Sequence, residues 1–205
     1  MLTGDALYCQ HELCAQVLAA GGDYLVTVKA NQPTLYAAIA LLFADPPPEE
    51  VFATTVHYDQ HGDRVEVRQL AAATALNVYL AELAWPRAQQ VFQVVRTVRR
   101  TGQRTEQVRY GITSLGPERA PAPALLRYRR GHWAIENRLH WVRDVTLGED
   151  ACQVRTGAGP QVLAALRNTV IGLLRRWRTP NIAAGRRTLA WQPNAPLRLL
   201  GITLP

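Results

Sequence analysis

The run DYLVTVK, Asp23 to Lys29, constrains the fold more than any other stretch of the chain. Its inner residues are apolar on both pleat faces and partly β-branched, which reads as a strand buried on both sides, as in a sheet covered by helices. Helical stretches flank it. Upstream, residues 1–5 end in LTGD and read as the last residues of a strand whose beginning is not present, followed by a helix over His11 to Ala20 that Gly21 and Gly22 stop. Downstream, Asn31, Gln32 and Pro33 open a helix that runs to about Phe43, with proline in its first turn. Strand, helix, strand, helix implies parallel strands joined by a right-handed crossover. Asp5 and Lys29 then meet at the carboxyl ends of neighbouring strands, the edge where open α/β sheets place their sites.

The pattern changes at DPPPEE, Asp45 to Glu50, which cannot continue a helix. Alternating strands follow: Val51 to His57, a turn at Asp59 to Asp63, and Arg64 to Leu70, then Gln90 to Arg99 and Gln107 to Ser114 about a turn at Arg100 to Arg104. This makes an antiparallel insertion. Its turns are either candidate nucleic-acid contacts or ordinary polar hairpin tips. APAPA, Ala120 to Ala124, punctuates the chain again. A last helix spans Gln161 to Arg178, with Leu163, Leu166, Val170, Leu173, Leu174 and Trp177 as its core stripe; Trp191 and Leu197 to Leu200 are packing anchors in the tail. The organisation expected is an α/β part over 1–45, a β-rich insertion over 46–119, helices over 120–178 and a tail over 179–205.

Between insertion and last helix lies LRYRRGHWAIENRLHWVRDVTLGED, Leu126 to Asp150. At α-helical spacing Arg129, His132, Glu136, His140 and Arg143 share one face, and Tyr128, Ile135, Leu139 and Val142 form an apolar stripe beside it. Surrounding cations keep Glu136 ionised, which suits a metal ligand, and arginines such as Arg129 and Arg130 suit phosphate. Two other readings stand: solvated ion pairs of little energetic weight, and a zinc site of His132, Glu136 and His140, which lacks the glutamate of an HExxH motif. Charge leans toward a polyanion. Residues 1–86 carry ten acids against three bases, whereas residues 87–130 carry ten bases against two acids and residues 131–205 ten against four. Three cysteines, Cys9, Cys14 and Cys152, make no disulfide framework and, with His11, no zinc pattern. No apolar run is long enough to span a bilayer and no signal peptide is legible, so the expected compartment is the cytoplasm.

With Asp5 after a strand, VKANQP, HGDRVEVR, RYGITSL and above all HWAIENRLHWVRDVTLGEDACQVRTG, the chain resembles DDE transposases of bacterial insertion sequences, specifically the ISAs branch. The resemblance runs to about Trp177 and implies a partial RNase H-like α/β fold with an antiparallel β insertion and C-terminal helices. It implies two-metal phosphoryl transfer, in which three carboxylates hold two Mg²⁺ or Mn²⁺ ions ~4 Å apart, oxygen ligands being those that hard cations prefer. By this resemblance Asp5 matches the second acid and Glu136 the closing one. Lys29, Arg129, Arg130, His132 and Arg143 fall where DNA phosphates would be gripped; Asn31, Gln32, Asn137, His140 and Asp144 have supporting places. The implied partner is DNA, as transposon ends and target, in the bacterial nucleoid, with multimers acting on paired ends.

The family's first acid should precede Asp5 on an opening strand, and only four residues do so. Asp23 begins its strand and falls at the wrong end. The expectation is therefore a carboxy-terminal portion that works when a second polypeptide supplies the missing acid, or else a catalytically inactive remnant or DNA-binding modulator of transposition.

Overall fold

The computed structural model describes residues 1–192 and 194–202, with the side chains of all of these except Asn137 and Leu199. The chain divides into two compact units, Met1–His132 and Trp133–Pro205.

In the first unit, β1 (Leu2–Gly4) and β2 (Tyr24–Val28) are parallel, linked by α1 (His11–Ala19). After α2 (Pro33–Ala44) come β3 (Ala53–His61), β4 (Arg64–Ala73), a short α3 (Asn77–Glu82), β5 (Gln90–Arg100), β6 (Gln103–Thr113) and α4 (Ala122–His132). All six strands form one sheet, ordered β1-β2-β6-β5-β4-β3. The strands of residues 46–119 join those of residues 1–45 through antiparallel pairing of β2 with β6, Val28 opposite Tyr110 and Leu25 opposite Thr113. The fold is mixed α/β with a mostly antiparallel sheet, consistent with the RNase H-like fold that the resemblance implies.

Strand alternation sends β2 into two cores at once. Tyr24, Val26 and Val28 pack with Cys14, Leu35, Ile39, Leu80, Trp85 and Ile112 on one face. Leu25 packs on the other face with Leu70, Phe92, Val94, Leu125 and Leu126. All five residues of β2 are buried, as the apolar run predicts. The buried amide of Gln90 donates to the carbonyls of Leu115 (2.7 Å) and Ala120 (3.1 Å), satisfying the backbone where the chain turns toward α4.

Both hairpin turns are tighter than the sequence predicts. β3 continues to His61 and β5 to Arg100, leaving two-residue turns at Gly62-Asp63 and Thr101-Gly102. Thr101 and Gly102 both have positive φ (44° and 77°), the conformation that two-residue hairpins favour. Polar residues were read as turn, but these strand ends are polar because they project beyond the core. Thr101 Oγ1 donates to Asp63 Oδ2 (2.8 Å), tying one tip to the other. Helix α3 carries no signal at sequence level: six residues, with Leu80 its one buried side chain, are too short for helical periodicity to register.

In the second unit, Glu136–His140 and Val142–Thr146 are π-helical, and α5 (Gly159–Arg176), α6 (Ile182–Trp191) and α7 (Ala195–Leu199) follow. Its core gathers Val142, Ile171, Leu174 and Ile182, with Leu139, Leu147 and Leu189 against them. The stripe expected on the last helix is only partly core, since Leu166, Val170 and Trp177 are exposed. The tail carries α6 and α7, and Asn181 caps α6, its Oδ1 accepting from the Ala184 N–H at 3.0 Å. Trp191 is 87% exposed and anchors nothing within this unit. None of the described helices is long and apolar enough to cross a membrane.

Candidate active site

The edge of the sheet at the carboxyl ends of β1 and β2 is built as parallel strands dictate. Asp5 leaves β1 in extended conformation (φ −78°, ψ −179°) and starts the 3₁₀ turn Ala6–Tyr8. Lys29, one residue past β2, places its Nζ 3.5 Å from Asp5 Oδ2. The juxtaposition expected from the strand order is therefore present. The second oxygen, Asp5 Oδ1, is buried without a hydrogen-bond partner. Burial pushes the Asp5 pKa up, but the neighbouring Ala6 N–H, Lys29 and Arg129 together outweigh it and hold the carboxyl below the usual aspartate range. It stays ionised at neutral pH.

Asn31 and Gln32 position the turn that carries Asp5. The Asn31 side-chain amide donates to the Ala6 carbonyl at 2.8 Å, and that of Gln32 to the Cys9 carbonyl at 2.9 Å. Each bond ties the segment after β2 to the segment after β1. Asn31→Ala is expected to lower stability by about 1 kcal/mol, because the Ala6 carbonyl keeps the Cys9 N–H but loses the side-chain donor that ties the two segments together. A denaturant melt checks this; an unchanged midpoint would mean that the turn holds itself.

Helix α4 brings Arg129, Arg130 and His132. Thr3 Oγ1 and His132 Nδ1 lie 3.2 Å apart. Arg129 is 7% exposed, and its Nη1 is buried without a hydrogen-bond partner. Arg130 is committed within the protein: its guanidinium lies 2.7 Å from His57 Nε2 and 3.1 Å from Asp59 Oδ2. Asp23 sits at the opposite end of β2 from Lys29, paired with Arg119 at 2.5 Å and with the Ser114 hydroxyl at 3.0 Å.

In the second unit Glu136 Oε2 lies 3.4 Å from His140 Nδ1, one turn on, with both side chains about half exposed. Straight α-helical spacing does not carry further. The π-helical turns widen the helix, so positions seven apart no longer stack, and single π-turns occur mostly at functional sites. Arg143 instead forms a two-pronged pair with Glu149, Nε to Oε2 at 2.5 Å and Nη2 to Oε1 at 2.6 Å. Hydrogen bonding from Arg143 holds Glu149 below the usual glutamate range. Asp144 is half-buried, and the Asn137 side chain lies outside the described residues. Of the apolar stripe, Tyr128 packs in the first unit's core and Leu139 and Val142 in the second's, while Ile135 is exposed.

Among the described residues no group of three or more His, Cys, Asp or Glu side chains is placed to hold a metal. Cys9 and Cys14 are buried, and burial pushes their thiols up to about 12 and about 11, so neither is a thiolate at neutral pH.

Asp5 and Lys29 thus stand together at the carboxyl edge of two parallel strands, the edge where open α/β sheets place their sites. Residues 1–173 match the family described as Transposase DDE domain, and the chain belongs to that family. It is 25% identical over 189 residues to "Putative transposase YncI" of Escherichia coli O157:H7, covering 85% of this chain and 45% of that protein. It is 28% identical to "Putative protein YbfL" and 27% identical to "H repeat-associated putative transposase YhhI", both of Escherichia coli strain K12, each over 85% of this chain and 47% of the relative. The chain spans about half the length of these curated relatives, 45–47%.

Proposed function

We propose that the chain is the carboxy-terminal portion of an insertion-sequence transposase catalytic domain, of the ISAs type, acting on DNA by metal-assisted phosphoryl transfer in the bacterial cytoplasm and nucleoid. The observation that carries the reading is Asp5: an ionised carboxylate at the carboxyl edge of β1, its Oδ1 buried and unpartnered, with Lys29 on its other oxygen. A hard divalent cation such as Mg²⁺ or Mn²⁺ suits such an oxygen. Asp5 and, in the second unit, Glu136 are the ligands we assign to it. When bound, the metal supplies Lewis-acid stabilisation of a phosphoryl oxygen and activates the attacking hydroxyl. The chain's own residues orient these ligands: Lys29 restrains one Asp5 oxygen, and Asn31 and Gln32 fix the turn behind it. His132, Arg129 and Arg143 are assigned to DNA phosphates, Arg143 by exchanging its Glu149 partner.

Asp23 does not supply the family's first acid, since it lies at the far end of β2 and is bound by Arg119 and Ser114. That acid comes from a second polypeptide or from residues outside these 205, and multimers assemble on paired ends. A second reading is a catalytically inactive remnant or a DNA-binding modulator of transposition. Either way the chain binds duplex DNA. Fluorescence anisotropy is expected to show affinity falling at least a hundredfold between about 50 and 200 mM salt, as several phosphate contacts require. Salt-independent binding, or none, would remove both readings.

A further inference from the structure

Strand β2 stops at Val28, opposite Tyr110, while β6 begins seven residues earlier, at Gln103, and over that length pairs only with β5. The step leaves a cleft of about 450 Å³ lined by Thr27, Lys29, Tyr36, Gln107 and Arg109, among others. The register puts Thr27, Lys29 and Arg109 on the sheet face that α4 covers: Thr27 pairs with Gly111, and Arg109 lies two residues before it. Thr27 is 1% exposed, and its hydroxyl has no hydrogen-bond partner. On the same face Arg129 has its orphaned, buried Nη1, and burial together with the nearby Arg109 lowers its pKa while Asp5 opposes them. Among the described residues neither Arg109 nor Arg129 makes an ion pair.

Lys29 and Arg129 both act on the single carboxylate of Asp5, and Arg109 adds a third cation beside Arg129; this excess of positive charge, with two buried polar groups unsatisfied, is costly unless an anion enters. Surface charge alone would be solvated. Here both orphaned groups are buried, and one of them, the Thr27 hydroxyl, belongs to a residue that lines the cleft. We propose that this cleft is a phosphate subsite beside Asp5, in which Arg109, Lys29, Arg129 and the Thr27 hydroxyl hold one phosphodiester of a nucleic-acid backbone. The proposal rests on the reading that the chain acts on DNA. It adds Arg109 and Thr27, which are outside the Glu136 motif in sequence and emerge only from the β2–β6 register.

The test compares full-length wild type, Arg109→Gln, Thr27→Val and the control Arg87→Gln for duplex binding across a salt series, with melting curves confirming that each folds. Arg87 is exposed and near Asp23, at the other end of the sheet. Arg109→Gln is expected to weaken binding roughly three- to tenfold and to reduce the salt slope by about 1, the loss of one phosphate contact. Thr27→Val should weaken binding with no change in slope, and Arg87→Gln should do neither. Wild-type binding that Arg109→Gln leaves intact, slope included, overturns the subsite while leaving the DNA reading standing. Inorganic phosphate that perturbs the Thr27 and Lys29 amides without any mutant changing duplex affinity overturns it too. Absence of salt-dependent binding by the wild type overturns the reading underneath.

Discussion

Gly111→Val destabilises the first unit by about 3 kcal/mol or more, a loss of roughly 10 °C in its melting temperature. A Cβ at residue 111 would sit 2.2 Å from Phe92 Cζ and 2.7 Å from the Val26 carbonyl oxygen. The first neighbour is a ring that is 1% exposed and wedged between Leu25, Leu70 and Leu125; the second is backbone of the buried β2. Neither can yield cheaply. Gly111 pairs directly with Phe92, so the aromatic ring covers the bare glycine across the strand pair and packs where a side chain would have been. Gly111→Ala with Phe92→Leu should therefore be less destabilised than the sum of the two single variants. Thermal melts of the four proteins check it; simple additivity would mean that ring and glycine are not coupled.

Glu66→Ala is the second large effect, about 3 kcal/mol. Glu66 is 6% exposed and carries three arginines: Arg96 through Nε at 2.5 Å and Nη2 at 3.1 Å, Arg64 at 2.7 Å, and Arg68. Removing the carboxylate takes away the acid that Arg64 and Arg96 pair with on β4 and β5, while Arg68 keeps Asp59. Hydrogen bonding from Arg96, against the opposing effect of burial and with help from Arg68, holds Glu66 below the usual glutamate range. The sign follows from that depression: the stabilisation is fully present above the unfolded-state glutamate pKa and is lost as pH falls through the lower folded-state value. Wild type should thus lose stability on acidification and Glu66→Ala should lose less. Parallel stability curves down to acid pH would show that the arginines gain nothing from the charge.

Much of this was legible in the sequence because periodicity and strand order are local. The two-faced burial of Tyr24–Val28, the helices beside it and the meeting of Asp5 with Lys29 all follow from DYLVTVK and its flanks. Three things were not legible. Arg129 and Arg130 are adjacent in sequence, yet one is buried with an orphaned nitrogen and the other is spent on Asp59 and His57, because the partners come from β3. Arg143 is paired with Glu149 because the helix widens into π turns, and spacing arguments assume 3.6 residues per turn. Arg109 is brought near Arg129 by strand register, which no local pattern encodes.

We propose that Asp5 and Glu136 are two of the family's three metal-binding acids and that the first is not among residues 1–205. The most direct measurement is nicking of supercoiled plasmid by the chain alone in Mg²⁺ and in Mn²⁺, beside Glu136→Gln, at salt low enough for both proteins to bind the plasmid. The account predicts bound but intact plasmid with either protein. Metal-dependent nicking by the wild type that Glu136→Gln abolishes would contradict it, because a complete set of acids would then lie within the chain.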